Sequence, residues 1–423
     1  MTSYLPAECL RQIFEELKDD KEDLHSCLLV NRHWCKNIID ILWKQPFRFL
    51  YTCKKESCQC NNEKAIKRQF QAYNLLETYL SCFMFNEEIK ISSQRRQDRD
   101  RPNYNRPIFN YIQYLKYLDF EELHNAIIDW IQFASKNSKI NNNNYISIGD
   151  FFSPILNWIG FPSTSLSFIL SSSSNNDYSI MLFKYLSNNI LNYKQPQNND
   201  QLNDWVAIVI CKLLMRNKEN SLTSISIEVE MNELKSGKFR CKHLNKDYQY
   251  SYMDDDDDDD EQQSLDFVRL PESYFILPIF EGSSNCLSNL VEFICTSKQR
   301  KQILLNSLAK VSKNLKTIII SIEYDQYSWL DFNNNMLEEV NSLVNLIQVQ
   351  NSLSHFEIYR CPIGFDLVIL ALKKHLHTLK LIRLVEVKIK NYEILNIIND
   401  TSRWEIMDLD VTETSQIYNT VFF

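Results

Sequence analysis

Glycine is scarce in this sequence, with only five glycines in 423 residues. The closest two, Gly149 and Gly160, lie eleven positions apart. Loops that hold a dinucleotide or a nucleoside triphosphate bring several glycines close together, so that backbone N–H groups can approach the phosphates. The glycine count therefore excludes the doubly wound dinucleotide-binding folds and the P-loop folds.

The composition indicates a globular protein, because 44% of the residues are hydrophobic and 24% are charged. The net charge of −8 comes from one acidic run, Asp254–Glu261. Removing these eight acids from 54 leaves 46, which balances the 46 lysines and arginines. Without a domain-scale basic excess, we expect no nucleic-acid partner. Adjacent like charges repel, so the run predicts a disordered acidic loop over 253–263 rather than an ordered calcium loop.

The twelve cysteines are spread along the chain, and no secretory signal precedes them. Reduced thiols are therefore expected. The longest apolar stretch, Trp205 to Met215, contains Lys212 and is shorter than the ~20 residues of a membrane span. This stretch predicts a buried helix. We expect a cytoplasmic and/or nuclear protein with no membrane partner.

The first fifty residues carry three apolar patterns with helical spacing. Leu10, Ile13, Phe14 and Leu17 share one face of a helix that begins after Leu5-Pro6. A second apolar set follows at 24–30, and Asn31 is a suitable N-cap for a third helix. Three short helices cannot bury all of this apolar surface by themselves, so part of it is predicted to face a partner.

The spacing of these residues resembles that of an F-box. The matching positions are Leu5-Pro6, Glu8, Ile13-Phe14, Leu17, Leu24, Cys27, Val30, Arg32, Trp34 and Trp43. The resemblance covers roughly one tenth of the chain and predicts a three-helix F-box over residues 1–45. The alternative is a generic three-helix cap.

The resemblance implies that the N-terminal helices bind the Skp adaptor of a cullin-RING ubiquitin ligase, while the rest of the chain recruits a substrate. By matching position, the adaptor-binding candidates are Leu5, Pro6, Leu10, Ile13, Phe14, Leu17, Leu24, Leu28, Val30 and Trp34. These residues include both adaptor-facing and internal side chains, which the sequence does not divide. Leu5 and Pro6 are the strongest candidates for direct contact, because they precede the first helical face.

Residues 46–200 are predicted to form a helical linker region with low-complexity loops. Cys53, Cys58, Cys60 and Cys82 are the only cysteines in this region. Their spacing departs from the paired C-x2-C pattern of zinc sites, and no histidine lies between His33 and His124. Incidental thiols are favoured over a metal site.

A Leu-x-x-apolar-x-apolar motif recurs in residues 201–423. It begins at Leu222, Leu315, Leu353, Leu376 and Trp404, with 38, 23 and 28 residues between the last four starts. This region resembles the degenerate leucine-rich repeats often found behind an F-box, with a strand and a helix in each repeat of ~20–29 residues. The alternative is an α/β domain with unrelated strands.

A repeat solenoid would expose one residue between the two inner apolar positions of each strand. Those residues are Ile319, Glu357, Lys380 and Asp408, with Tyr359 and Ile382 two places further along their strands. Adjacent repeats would bring Glu357 beside Lys380. We expect this strip to contact the substrate; the alternative is an ordinary solvated sheet face.

The overall prediction is a mainly α chain with an α/β part: an N-terminal three-helix F-box, a helical middle and a C-terminal irregular leucine-rich-repeat-like solenoid. The predicted function is a non-catalytic substrate receptor of a Skp–cullin–F-box ligase without a cofactor or metal. Two alternatives are a scaffold that binds the adaptor without ligase assembly and an unrecognised enzyme. Against an enzyme, the chain has neither H-E-x-x-H nor G-x-S-x-G. His375 and His377 alone are too few for a metal site.

Overall fold

The computed structural model describes residues 5–53, 62–94, 107–140, 199–216, 221–227, 239–240, 270, 272–280, 282–297, 299–322, 332–388 and 405–406. The chain forms two compact units. The first comprises 1–220 and 232–274, and the second comprises 221–231 and 275–423. The acidic run Asp254–Glu261 lies outside the described residues.

The first unit begins with the three helices that the sequence predicts: α1 (Ala7–Glu16), α2 (Lys21–Leu28) and α3 (Arg32–Leu42). The Asp20 carboxylate caps α2 by accepting hydrogen bonds from the N–H groups of Glu22 and Asp23. The Asn31 side chain caps α3 by accepting one from Trp34 N–H at 2.9 Å, which confirms Asn31 as an N-cap. The shared core consists of Leu10, Phe14, Leu24, Ile38 and Ile41.

The remaining elements of the first unit are mostly helical. They are α4 (Arg48–Tyr51), β1 (Thr52–Cys53), α5 (Asn62–Gln94), β2 (Tyr117–Asp119), α6 (Phe120–Ile140), α7 (Asn199–Arg216) and β4 (Phe239–Arg240). Helices α5 and α6 pack together, and β1 pairs with β4 in antiparallel register. Helix α7 packs on α6, so it belongs to the first unit and not to the region that begins at 201 in the sequence-based division.

The end of α3 is packed tightly against the other helices of the first unit. The ring of Trp43 lies 5.6 Å from that of Tyr79 on α5 and 4.0 Å from that of Tyr111. The carbonyl oxygen of Lys44 accepts hydrogen bonds from both Lys116 N–H and Tyr117 N–H at 3.0 Å. The first three helices are therefore fixed to the unit rather than tethered by a free linker.

The second unit is built on a parallel sheet. Its strands are β3 (Ser224–Ile227), β5 (Glu292–Cys295), β6 (Thr317–Ser321), β7 (His355–Cys361), β8 (Leu381–Val387) and β9 (Glu405–Ile406), paired in that order. Its helices are α8 (Ser283–Leu287), α9 (Gln302–Val311), α10 (Phe332–Gln348) and α11 (Phe365–Leu372). Parallel crossovers are nearly always right-handed, so strands that advance in one direction place their helices on one face of the sheet.

The inner face of this sheet is formed by two apolar rows that run across the strands. One row contains Phe293, Ile318, Phe356 and Ile382, which are at most 2% exposed. These positions confirm the motif at Leu315 and at Leu353. The motif also occurs at Leu290, Phe293 and Cys295. A cysteine in its last position makes this copy difficult to recognise from the sequence alone.

The register of the last two strands differs from the sequence prediction. Phe356 pairs with Ile382, so the motif that contains β8 begins at Leu379 and not at Leu376. In β9 Ile406 pairs with Leu384, so Ile406 occupies the last apolar position of the motif, which the sequence analysis gives to Leu409. Both segments contain several apolar residues, so the motif fits more than one register, and only pairing with the neighbouring strand selects one.

Buried polar side chains join successive turns of the second unit. The Ser312 hydroxyl donates to the Leu287 carbonyl oxygen, and the Gln350 amide donates to the Ser312 carbonyl oxygen at 3.1 Å. The imidazole of His375 lies 2.9 Å from the Ile347 carbonyl oxygen, and burial lowers its pKa. His375 is fully buried. These side chains satisfy backbone groups at corresponding helix ends.

A fully buried ion pair connects the start of α9 with α10. The Nζ atom of Lys301 lies 3.1 Å from Oε1 of Glu339, and both side chains are 0% exposed. Lys301 Nζ also donates to the carbonyl oxygens of Ser297 and Gln299. Glu339 Oε2 accepts the backbone N–H of Lys301 at 2.9 Å. The hydrogen bonds around the pair compensate part of the desolvation cost of both charges.

Among the helices that the structure describes, none has the length and apolar character needed to cross a membrane. The stretch Trp205–Met215 lies within α7, and Val206, Cys211 and Leu214 are buried there, as the sequence predicts.

Candidate protein-binding site

The structure divides the ten adaptor-binding candidates into three groups. Leu10, Phe14 and Leu24 are 0% exposed and form the core between the first three helices. Leu17, Leu28 and Trp34 are half-buried and pack against that core. The rings of Phe14 and Trp34 meet edge to face at 5.4 Å. These six residues therefore hold the three helices together.

The other four candidates remain exposed. Leu5 is 47%, Ile13 is 44% and Val30 is 56% exposed, and Pro6 is also exposed. Leu29, which was not among the candidates, is 69% exposed. Its position in the sequence was informative, because a helix cannot bury three successive apolar residues such as those at 28–30 on one face. We call Leu5, Pro6, Ile13, Leu29 and Val30 the exposed apolar set.

The backbone holds this set in a defined geometry. The Pro6 carbonyl oxygen accepts the first hydrogen bond of α1 from Leu10 N–H at 3.1 Å, which fixes the chain direction at Pro6. After α2, Leu29 N–H donates to the Ser26 carbonyl oxygen and Val30 N–H donates to the Cys27 carbonyl oxygen. Two exposed apolar side chains are therefore presented on a hydrogen-bonded turn directly before the Asn31 cap. Preformed geometry lowers the entropy cost of binding.

Two ion pairs lie around these helices. Arg11 forms an ion pair with Asp40, and Arg48 lies 3.2 Å from Asp19. Burial raises the pKa of the Cys27 thiol, and the carboxylate of Asp23 adds to the shift. A raised pKa keeps this thiol protonated, so Cys27 is a packing residue and not an activated nucleophile.

The substrate-binding candidates are less accessible than the sequence predicts. Ile319, Glu357 and Tyr359 lie on the sheet face opposite the inner rows, yet they are only 3%, 1% and 4% exposed. Ile319 and Tyr359 pack with Ile294 and the half-buried Val385 across four strands. The expectation that these three residues form an exposed strip is therefore wrong.

The other three candidates lie elsewhere. Ile382 lies on the inner face, where it is paired in register with Phe356 of the adjacent strand, and it is 2% exposed. Lys380 is exposed but precedes β8. The residue of β8 beside Glu357 is therefore Arg383 and not Lys380, and Arg383 Nη1 lies 3.7 Å from Glu357 Oε2. The shifted register of that strand explains both corrections. Asp408 lies outside the described residues.

Glu357 is the centre of a polar cluster on this second face. Its Oε1 lies 2.5 Å from His355 Nε2, and its Oε2 accepts the Tyr359 hydroxyl at 2.5 Å. Burial raises the pKa of Tyr359, and the bond to Glu357 adds to the shift. His355 and Arg383 keep 25% and 17% of their side chains exposed. The buried carboxylate thus contacts three polar side chains, of which His355 and Arg383 are partly accessible.

A second polar cluster lies in the helical part of the first unit. Asp129 Oδ2 accepts the Tyr51 hydroxyl at 3.0 Å and Arg68 Nε–H at 2.9 Å. Burial, together with the Asp129 carboxylate, raises the pKa of Tyr51 well above its ordinary value. This cluster joins α4, α5 and α6, so its polar groups cross-link helices rather than face a substrate.

Within the part of the chain that the structure describes, no three histidine, cysteine or acidic side chains are grouped to hold a metal ion. Cys82 is buried and its thiol lies 3.6 Å from the Phe109 carbonyl oxygen. Cys58 and Cys60 lie outside the described residues. The eight cysteines with described side chains are free thiols.

A comparison with protein families identifies the N-terminal helices. The family model described as F-box-like matches residues 2–49, which include the three-helix core and the exposed apolar set. Comparison with curated proteins and with solved structures gave no match.

Proposed function

Residues 2–49 form an F-box-like domain, and we propose that this domain binds the Skp adaptor and makes the chain the substrate-receptor subunit of a Skp–cullin–F-box ubiquitin ligase. The cullin and RING subunits would join through the adaptor. A receptor of this kind acts in the cytoplasm or nucleus and needs no catalytic group, metal or cofactor of its own.

The observation that carries the proposal is the exposed apolar set. Leu29 and Val30 keep 69% and 56% of their surface in water although they belong to a well-packed domain. Full burial of a leucine or valine side chain contributes ~1.5–3 kcal/mol, so a surface with several such residues is costly unless a partner covers it. Protein interfaces concentrate their energy in a few anchors of this type.

Substrate recruitment is assigned to the second unit. From β3 to β8 its strands follow one another in sequence order with a helix between neighbours, as expected for a repeat stack, and the buried side chains of Ser312, Gln350 and His375 connect successive helix ends. On the sheet face opposite the inner rows, the polar cluster around Glu357 is partly accessible through His355 and Arg383. Substrate contact there would use these two side chains, with Glu357 and Tyr359 orienting them from beneath.

The test is co-expression of the intact chain with the Skp adaptor and a cullin, followed by affinity purification. We expect the adaptor and the cullin to co-purify. Leu5→Ala with Pro6→Ala is expected to lose both while the melting temperature is retained. Recovery of the adaptor without the cullin would instead support the scaffold alternative, and no adaptor binding by the intact chain would reject the proposal.

The assignment of substrate to the second face has its own test. Proximity labelling is compared between the native chain and a chain with His355→Ala and Arg383→Ala, both with intact adaptor binding. We expect the variant to lose the partners whose labelling increases when the proteasome is inhibited. An unchanged set of partners would reject this face as the substrate site.

A further inference from the structure

The edge of the second unit at which the strands begin is rich in lysine. Three connections lie there: the first joins α9 to β6, the second joins α10 to β7, and the third joins α11 to β8. We call their lysines the lysine edge; they are Lys310, Lys313, Lys316, Lys373, Lys374 and Lys380. No local sequence pattern reveals this feature, because up to 70 residues separate these lysines along the chain.

Backbone hydrogen bonds bring the three connections side by side. Asn351 N–H donates to the Lys313 carbonyl oxygen at 3.0 Å, and Ser354 N–H donates to that of Lys316 at 2.9 Å. Lys380 N–H donates to the Ser354 carbonyl oxygen at 2.7 Å. Lys316, Ser354 and Lys380 therefore occupy the same position before three adjacent strands.

The connection between α10 and β7 contains no lysine, and its positive charge comes from Lys374 of the next connection. The Nζ atom of Lys374 donates to the carbonyl oxygens of Gln348 at 2.6 Å and Gln350 at 2.9 Å, so an ammonium group lies over a connection that has no lysine of its own. All three adjacent connections thus present positive charge.

The three connections themselves contain no acid, and Glu292, at the start of β5 beside Thr317, accepts the Ser224 hydroxyl at 2.8 Å. Residues 310–317, 348–355 and 373–381 contain no aspartate or glutamate. Five of the six lysines are exposed, Lys313 is half-buried, and within the described residues none of the six forms an ion pair. Six like charges on one edge repel one another, and an anionic partner would relieve this repulsion.

We propose that the lysine edge binds an extended acidic segment of a partner protein. Neighbouring strands lie ~4.8 Å apart, so Lys316 and Lys380, with one strand between them, are about 10 Å apart at the backbone. An extended peptide advances ~3.3 Å per residue and places alternate side chains on one face, so carboxylates two positions apart lie ~7 Å apart on the same side, within reach of the long lysine side chains.

The composition of the edge favours carboxylates over nucleic acid. The three connections contain no arginine, whose planar group binds phosphate through two parallel hydrogen bonds. They also contain no phenylalanine, tyrosine or tryptophan on which bases could stack. This proposal is independent of the adaptor interface, because it concerns a different unit and a different type of contact.

The experiment measures binding of a fluorescent peptide of alternating aspartate and serine, roughly twelve residues long to span the three strands, to the full chain by anisotropy. We expect binding that weakens as salt rises from about 0.05 M to about 0.3 M, because screening reduces charge attraction. Lys316→Gln, Lys373→Gln and Lys380→Gln together are expected to weaken it about tenfold or more, since one exposed ion pair contributes up to about fivefold.

The matched control removes the same charge from the opposite edge of the sheet. Arg300→Gln, Arg360→Gln and Lys388→Gln alter exposed cations that follow or end their strands, and they are expected to leave binding within about twofold. The series is repeated in a chain with Asp254–Asp260 changed to Asn, because these acids could compete with the peptide. Equal losses from the two triple variants would overturn the proposal.

Three further outcomes would also overturn it. One is the absence of peptide binding both in the native chain and in the chain with Asp254–Asp260 changed. Another is equal binding of a peptide with asparagine in place of aspartate. The third is tighter binding of single-stranded DNA or of a phosphoserine peptide of the same length, which would assign the edge to phosphates instead of carboxylates.

Discussion

Replacement of Leu29 and Val30 by alanine is expected to abolish most adaptor binding without unfolding the F-box-like domain. Both side chains are largely in water and neither belongs to the core of the three helices. Their backbone N–H groups make the turn after α2, and alanine retains these hydrogen bonds. Substitutions of exposed side chains usually change stability by no more than ~0.5 kcal/mol.

The size of the effect follows from the exposed fractions. Full burial of a leucine or valine is worth ~1.5–3 kcal/mol, and Leu29 and Val30 still have 69% and 56% of their surface to bury. If the adaptor covers both side chains, the pair contributes about 2–4 kcal/mol. This corresponds to a Kd roughly 30- to 700-fold higher in the double variant, at a factor of ten per ~1.4 kcal/mol.

Isothermal titration of the purified chain with the adaptor measures this change. Ile66→Ala with Phe70→Ala is the matched control, because these residues are 57% and 50% exposed on α5, beyond the F-box-like domain. Leu24→Ala is the opposite control, since truncation of a fully buried leucine costs ~2–5 kcal/mol of stability. A Kd within threefold of the native value for the folded Leu29 and Val30 double variant would contradict this prediction.

Three further predictions concern stability. Lys301→Met should destabilise the second unit by ~3–5 kcal/mol, because it leaves the Glu339 carboxylate buried without its cation. The double variant Lys301→Met with Glu339→Leu should recover most of this stability, as measured by urea unfolding of both chains. Burial lowers the pKa of His124 from 6.5 to about 4. Between pH 6.5 and about 4 the unfolded chain therefore binds more protons than the folded chain, and the free energy of unfolding should fall by about 3 kcal/mol as the pH drops through this window. In a His124→Gln chain, the urea midpoint should lack this part of the pH dependence. Gly364→Ala should lower the melting temperature, at a cost of ~1–2 kcal/mol, because Gly364 has a φ of +74° and an added Cβ would lie 3.1 Å from Val340 Cγ1; an unchanged melting temperature would contradict it.

The sequence was sufficient for features that depend on neighbouring residues. Helical spacing of Leu10, Ile13, Phe14 and Leu17 predicts one apolar face of α1, of which Leu10 and Phe14 are buried while Ile13 stays exposed. Asn31 caps α3 because a short polar side chain can reach the free N–H groups of the first turn. The motif at Leu315 and Leu353 predicts the inner rows of two strands, because the alternation of side chains in a strand is fixed by backbone geometry.

The tertiary structure decided which of several equivalent apolar residues are covered. Leu28, Leu29 and Val30 are similar in sequence, yet only Leu28 packs against the core, because the orientation of α2 on α3 selects one side of the turn. Pairing with the seventh strand likewise selected Ile382 as an inner residue, although the leucine-rich segment before it fits two registers. The lysine edge has the same origin: parallel pairing aligns Lys316 with Lys380 across 64 residues of sequence, a proximity that depends on long-range hydrogen bonds and not on local pattern.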